Sequence, residues 1–321
     1  MQITTLIPGF KSQYAIDLIR SLRNQTYQPK KIIISDDSDN NFYTDYLKSN
    51  ENRHLIEGLP IEFIIGPKKG AYENTKYLIN KYSEESDLIH ILYDDDVIYP
   101  TFYENHLRVH SSGIFSCTIS ARWSADESGL ALEAQPIPAE VKNHQNALLS
   151  LSEEIMIQTT ICKCKNWLGE FSNTIIRKEF CYLLLNPNFN DISYAGLWDL
   201  GFFINASISA PVGYIKENLG FFRQGKSNNS SKIFGPYMKA AFLAYGSLAF
   251  GLCAIGKITE DDKVSCFKNL YTFLNRYYLN EDDMKIFIYY FKEISQGNKY
   301  ILDEYVYSWN SFLKLHHFID K

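Results

Sequence analysis

The sequence predicts an α/β fold with a largely parallel central sheet, followed by a helical C-terminal region. Two observations carry that class. Within the first hundred residues, short β-branched runs alternate with segments of helical period, the order from which parallel sheets are built. From about Ser231 onward the patterns become long, helical and rich in Tyr, Phe and Leu, ending in Trp309 and His316-His317.

Taken in order, Ile3 to Ile7 is an apolar strand closed by Pro8-Gly9. Ala15, Leu18, Ile19 and Leu22 recur at helical spacing, with Arg20 and Arg23 between them. Ile32-Ile33-Ile34 forms a buried strand that runs into the polar cluster Ser35 to Asn40. Ile61 to Ile65 is another such strand, stopped by Gly66-Pro67. Asn74 to Tyr82 is helical by pattern, and Leu88 to Tyr93 is a strand ending at Asp94. Less regular sequence follows, with strands expected near 114–120, 173–176 and 212–215. The polar stretch 224–231 marks the expected boundary. It separates a domain over 1–225, with a nucleotide-sugar half 1–110 and an acceptor half 111–225, from a helical region over 226–321.

Composition narrows the function. The chain has 321 residues, and its net charge of −5 offers no global basic face, which argues against a general nucleic-acid binder; a local basic patch survives that argument. Of the six cysteines only Cys162 and Cys164 are close in sequence, a poor zinc pattern. The N-terminus reads as no signal peptide, and a reducing cytoplasm is the expected setting. The uncharged run from Ala240 to Ile255 is shorter than the roughly 20 residues of a spanning helix. A buried or interfacial helix is expected there, with peripheral membrane contact left open. His106 and His110 are four apart without a third ligand, so a helix surface is expected. Serine-hydrolase, P-loop and dinucleotide motifs are absent from the sequence.

Two acidic clusters stand at predicted strand ends, where ligands gather in open α/β sheets. Asp94, Asp95 and Asp96 crowd three carboxylates together, and desolvating them unpaired is costly. A divalent cation resolves that conflict and in turn holds a diphosphate; a solvated acidic turn is the alternative. Asp36 and Asp37 are suited to accept hydrogen bonds from a base or ribose, or to make an Asx turn or helix N-cap. The run from Asp37 is not a calcium loop, since Phe42 stands where Gly is required.

Thr5-Leu6-Ile7-Pro8, then Ser21-Leu22-Arg23-Asn24-Gln25-Thr26-Tyr27, then Ile33-Ile34-Ser35-Asp36-Asp37-Ser38 follow one another. Gly70 and Asn74 come next, then Leu92-Tyr93-Asp94-Asp95-Asp96 with Pro100 beyond. Together these segments resemble the nucleotide-binding half of a family 2 glycosyltransferase with the GT-A fold. The resemblance is strongest over 1–110 and thinner to about 225. It implies that Asp36 or Asp37 meets the base, with Pro8, Gly70 and Asn74 also along the nucleotide sugar. It implies a D-x-D-type metal site in which Asp95 is the direct ligand of Mn²⁺ or Mg²⁺, Asp96 supports it and Asp94 faces the ribose. Asn166 to Ser172 is similar to an acceptor-side segment, which makes Trp167 and Glu170 acceptor residues, although Phe171 replaces the usual Pro. Asp199 matches the second member of a Glu-Asp pair that supplies the base, Trp198 replaces the Glu and is placed to stack on an acceptor sugar or fill the core, and Asp191 is the backup. Phe221 to Ser227 is similar to a donor-covering loop lacking the usual His, leaving Arg223 and Lys226 to steady phosphate or to form a solvated loop.

The resemblance implies an inverting, metal-dependent transferase. Its donor is a nucleoside-diphosphate sugar, a UDP sugar favoured, and its acceptor a glycan or lipid-linked hydroxyl in surface polysaccharide biosynthesis. It would work in the cytoplasm, with the helical region capping the acceptor side or touching the inner face of the plasma membrane. Two alternatives stand beside it: a haloacid-dehalogenase-type phosphohydrolase, which Ile98 disfavours where Thr or Val is wanted, and a catalytically silent sugar-nucleotide or glycan-binding module.

Overall fold

The computed structural model describes residues 1–225, 231–298 and 300–319. Its first elements are β1 (Ile3–Gly9), α1 (Ala15–Arg23), β2 (Lys31–Asp36), α2 (Phe42–Lys48), α3 (Arg53–Ile56) and β3 (Ile61–Ile65). Next come α4 (Ala71–Tyr82), β4 (Leu88–Ile91), β5 (Val97–Ile98), α5 (Phe102–Ser112), β6 (Cys117–Ala125) and β7 (Ala131–Ala134). The middle contains α6 (Ala139–Lys142), β8 (Leu148–Leu151), α7 (Glu153–Thr159), β9 (Thr174–Arg177) and α8 (Tyr182–Leu185). It ends in the hairpin β10 (Asn188–Phe189) and β11 (Ile192–Ser193), then α9 (Trp198–Ser209) and β12 (Val212–Arg223). Four helices close the chain: α10 (Pro236–Ala254), α11 (Glu260–Tyr277), α12 (Lys285–Ser295) and α13 (Leu302–Leu315).

These elements pack as two compact units. Met1–Leu151, Trp167–Leu185 and Ala206–Gln224 form the first. The second takes the chain from Gly225 onward and also draws in Ser152–Asn166 and Asn186–Asn205, a grouping that a division in chain order at residue 225 does not contain.

The first unit is built on a mostly parallel sheet in the order β3-β2-β1-β4-β9-β6-β12-β5, with β7 on β6 and β8 on β12. β3, β2, β1, β4, β6 and β12 run one way; the shorter β9, β5, β7 and β8 oppose them. β1 and β4 are buried along their whole length, as strands covered on both faces must be. Ile3, Ile7, Ile32, Ile34 and Leu88 make the core with Leu18, Ile19 and Leu22 of the amphipathic α1. β3 departs from expectation. It is the sheet edge, so Ile61 to Ile64 are only partly buried and Ile65 is exposed. Register aligns Gly9 with Asp36 and Leu6 with Ile91, so the acidic ends of β2 and β4 flank the end of β1.

His106 and His110 correct the surface assignment. α5 turns them onto the sheet, both are buried, and each bonds the Thr118 hydroxyl, at 2.6 and 3.2 Å. His90 is buried beside them and bonds Tyr103, which bonds Thr5. Burial pushes His90 down to about 3 and His110 down to about 4, and His106 well below the ordinary imidazole range. An unfolded histidine takes up its proton near pH 6.5, so below that pH the unfolded chain binds more protons than the native one. The stability these residues contribute is therefore lost as pH falls from about 6.5 toward the folded values, about 2 kcal/mol each for His90 and His110 by pH 5. The imidazole NMR signals of His90 and His110 are expected not to titrate between pH 7 and 5. A native-state midpoint near 6.5 for either would contradict their burial.

In the second unit α10 is the central helix. Among the described residues it alone is long and apolar enough to cross a membrane, yet 67% of its apolar window is buried in protein. Packing thus accounts for its hydrophobicity. Gly196 lies so close to α10 that a Cβ there would meet the Ala240 carbonyl oxygen at 2.4 Å. Phe267, Phe291 and Tyr305 surround Gly246, each 3.1 Å from where a Cβ would stand, a tight fit for any side chain. A Thr259–Asp262 capping box starts α11. The buried Trp309 donates its indole N–H to the Ser193 carbonyl at 2.7 Å, tying α13 to the β11 segment.

Candidate active site

Three strand ends of the first unit build the site. β4 stops at Ile91, and Tyr93 to Asp96 turn back to start β5, which leaves Asp94, Asp95 and Asp96 consecutive and all buried. Asp94 Oδ2 accepts the backbone N–H of Phe10 and of Lys11, both at 2.5 Å, from the loop that leaves β1. Asp95 Oδ2 pairs with the Lys11 ammonium at 2.5 Å. Asp96 Oδ1 accepts the Arg223 N–H at 3.1 Å, while its Oδ2 is buried with no hydrogen-bond partner.

The charges oppose one another. Burial first, then the Asp95 charge, raises Asp94 to about 6, against the lowering effect of the two backbone donors. Burial, Asp95 and Glu170 push Asp96 well above the carboxylate range. A native carboxyl that holds its proton more tightly than the unfolded one weakens the fold where it is ionised. For Asp94 that cost is present above pH 6 and disappears as pH falls below it. Groups held at such a cost are candidates for function.

The expected cations divide. Arg223 is 1% exposed. Its guanidinium donates to the Asp95 carbonyl at 2.9 Å, to the Glu127 carbonyl at 2.7 Å and to Asp17 at 3.1 Å. Tyr14 and Phe221 rings lie over it, 4.4 and 5.2 Å from their centroids. These bonds make Arg223 a strut on the Asp95–Asp96 turn rather than part of a solvated loop. Lys226 falls outside the described residues. Lys11, which sequence reasoning overlooked, is the cation beside the carboxylates. Its position two residues beyond Gly9, where a buried parallel strand ends, was the available signal.

At the β2 end, Asp36 accepts from Ser38 N–H and hydroxyl and from Thr44 N–H at 2.5–2.9 Å. Asp37 accepts from Lys68 and Gly70 N–H at 2.5 and 2.7 Å. These are the turn and loop bonds of the alternative reading; Asp36 Oδ1 is filled by its two Ser38 donors, while Asp36 Oδ2 and both Asp37 oxygens keep acceptor capacity. Gly70 is exposed at φ +89° just before α4, a backbone shape that favours glycine. Asn74 is fully buried and bonds Ser35 at 2.5 and 2.9 Å, and Pro8 is buried in β1 opposite Ser35. Both support the sheet end from inside the fold.

Glu170 forms a buried ion pair with Arg122. It lies close enough to Asp95 for that charge to raise it, after burial and against Arg122. Trp167 is a core residue, 5% exposed and edge-on to Tyr214 at 5.1 Å, rather than an exposed stacking surface. In the second unit Asp199 is half-buried in the first turn of α9, beside a Trp198 that is 8% exposed. Asp191 is exposed at the tip of the β10–β11 hairpin, at φ +63°.

Among the described residues no three His, Cys, Asp or Glu side chains converge as a metal cage. Mg²⁺ does not demand one, since it is commonly held by one or two carboxylates together with substrate phosphates. The unpartnered Asp96 Oδ2 and the ion-paired Asp95 Oδ2 fit that mode.

No family model and no curated protein matches the chain. Solved structures do. A structure of S. aureus TarS aligns with 89% of this chain at 12% identity and a TM-score of 0.54, and the chain spans 46% of that protein. TarS 1-349 in complex with UDP-GlcNAc aligns with 98% of this chain at 11% identity and a TM-score of 0.53, with 92% of that protein covered. TarS 1-349 in complex with UDP gives 12% identity and 0.52 over the same shares. TarS is a GT-A-type glycosyltransferase. The likeness extends over nearly the whole chain, so the mixed α/β architecture described above is the GT-A-like fold of the glycosyltransferases.

Proposed function

We propose that the chain is an inverting glycosyltransferase. It transfers a sugar from a nucleoside diphosphate, UDP favoured, to a hydroxyl of a glycan or lipid-linked acceptor in surface polysaccharide biosynthesis, at the cytoplasmic side of the membrane. The observation that carries this reading is the buried Asp94–Asp96 cluster at the end of a parallel strand, where two carboxyls are held far from their ordinary range. The TarS structures with UDP-GlcNAc and UDP support the donor class. The GT-A-like fold leaves the phosphohydrolase alternative without its scaffold.

In this reading the base and ribose would lie along Asp36 or Asp37, Gly70 and Asp94, and Asp95 and Asp96 would hold Mn²⁺ or Mg²⁺. When bound, the ion offsets charge growing on the leaving nucleotide. Arg223 keeps the Asp95–Asp96 turn in place, and Glu170 would stand on the acceptor side. Asp199 accepts the proton of the acceptor hydroxyl as its oxygen bonds to the anomeric carbon and the bond to the phosphate oxygen breaks. Asp199→Asn keeps the shape and removes the base, so kcat is expected to fall roughly 10²–10⁴-fold with donor affinity unchanged. UDP release from a UDP-sugar panel, with a glycan or lipid-linked acceptor, measures it. A variant of full kcat would remove Asp199 from this role, and absence of transfer across all donors and acceptors would favour a silent binding module.

A further inference from the structure

We propose that the Lys11 ammonium is the resident counter-cation of the donor site, exchanged from Asp95 to the donor's diphosphate when the site is loaded. The inference rests on the donor-site reading above and adds to it a residue and an order of binding.

Lys11 is attached to the cluster at two points. Its backbone N–H is fixed on Asp94 Oδ2, so the side chain starts from a defined place, and its ammonium lies 2.5 Å from Asp95 Oδ2. The Lys11 side chain is 25% exposed against 10% for that of Asp95, so the ammonium can turn away while the carboxylate stays. The neighbouring cations are engaged elsewhere. Arg223 is buried and donates to Asp17 and to two carbonyls, and the Lys68 ammonium donates to Asp36 O, Ser38 O and Asn41 Oδ1.

A divalent ion and the Lys11 ammonium compete for Asp95 Oδ2, because two positive charges at contact distance repel. Metal alone works against that ion pair and offers the ammonium no phosphate in exchange. Metal with a nucleoside diphosphate displaces it and supplies phosphate oxygens that an ammonium binds well. The unpartnered Asp96 Oδ2 provides the second carboxylate oxygen. Lys11 thus makes metal and nucleotide bind cooperatively, and by linkage each strengthens the other by the same factor.

The test is a Mn²⁺ titration of the full chain, followed by the EPR signal of free Mn²⁺, with and without UDP. It compares wild type with Lys11→Met and Lys11→Gln. In wild type, UDP is expected to tighten Mn²⁺ at least tenfold. Both variants are expected to bind Mn²⁺ alone at least fivefold more tightly than wild type, and to lose most of the tightening by UDP. Equal Mn²⁺ affinity and equal UDP coupling in all three proteins would overturn the exchange while leaving the donor site intact. Wild-type protein that takes up neither UDP nor Mn²⁺ would overturn the donor-site reading, and this inference with it.

Discussion

Arg223→Ala is expected to destabilise the first unit by about 3 kcal/mol and to abolish nucleotide-dependent stabilisation, because the buried guanidinium holds the Asp95–Asp96 turn. Four interactions go together: the bonds to the Asp95 and Glu127 carbonyls, the pair with Asp17, and the stacking against Tyr14 and Phe221. Asp17 is 46% exposed and rehydrates, so the greater part of the loss comes from the carbonyls and from the cavity. The Asp95–Asp96 turn, released from its strut, no longer holds two carboxylates at a fixed separation. Arg223→Lys keeps the charge but not the fork, and is expected to resemble Ala in nucleotide response. Urea unfolding and melting with UDP and Mn²⁺ measure both effects. A variant with wild-type stability and wild-type nucleotide response would remove the strut.

Trp309→Ala is expected to have the largest effect on the second unit, about 3–5 kcal/mol. The indole is fully buried, stacks with Phe312 at 6.0 Å between centroids, and satisfies the Ser193 carbonyl, which would be left buried and bare. Trp309→Phe retains most of the volume and loses mainly that bond, so about half the cost or less is expected. A Trp309→Ala change within about 0.5 kcal/mol of wild type, the range of an ordinary surface substitution, would contradict the packing.

Local sequence carried much of the first unit. β1, β2 and β4 are short, mostly apolar runs, and β2 and β4 lead into acidic ends, so both the strands and the Asp94–Asp96 cluster could be read residue by residue. What escaped depended on distant partners. Nothing near Arg223 announces that Asp17 and Glu127 enclose it, and nothing near Trp167 places Tyr214 against it. His106 and His110 at helical spacing read as a polar face because the Thr118 hydroxyl that satisfies them lies on another element. The recruitment of Ser152–Asn166 and Asn186–Asn205 into the second unit is likewise non-local. Lys11 was overlooked for the same reason, since Asp95 is more than eighty residues away in sequence.

The central claim is that the Asp94–Asp96 turn is a nucleoside-diphosphate site, and thermal stability tests it most directly. Wild type and Asp95→Asn would be melted with UDP, GDP, CDP and dTDP, each with and without Mn²⁺. A ligand at 100 times its Kd adds about 2.7 kcal/mol, enough to move the midpoint visibly. The account predicts a shift with UDP that needs Mn²⁺ and is absent in Asp95→Asn. No shift with any nucleotide, or an equal UDP shift in Asp95→Asn, would contradict it.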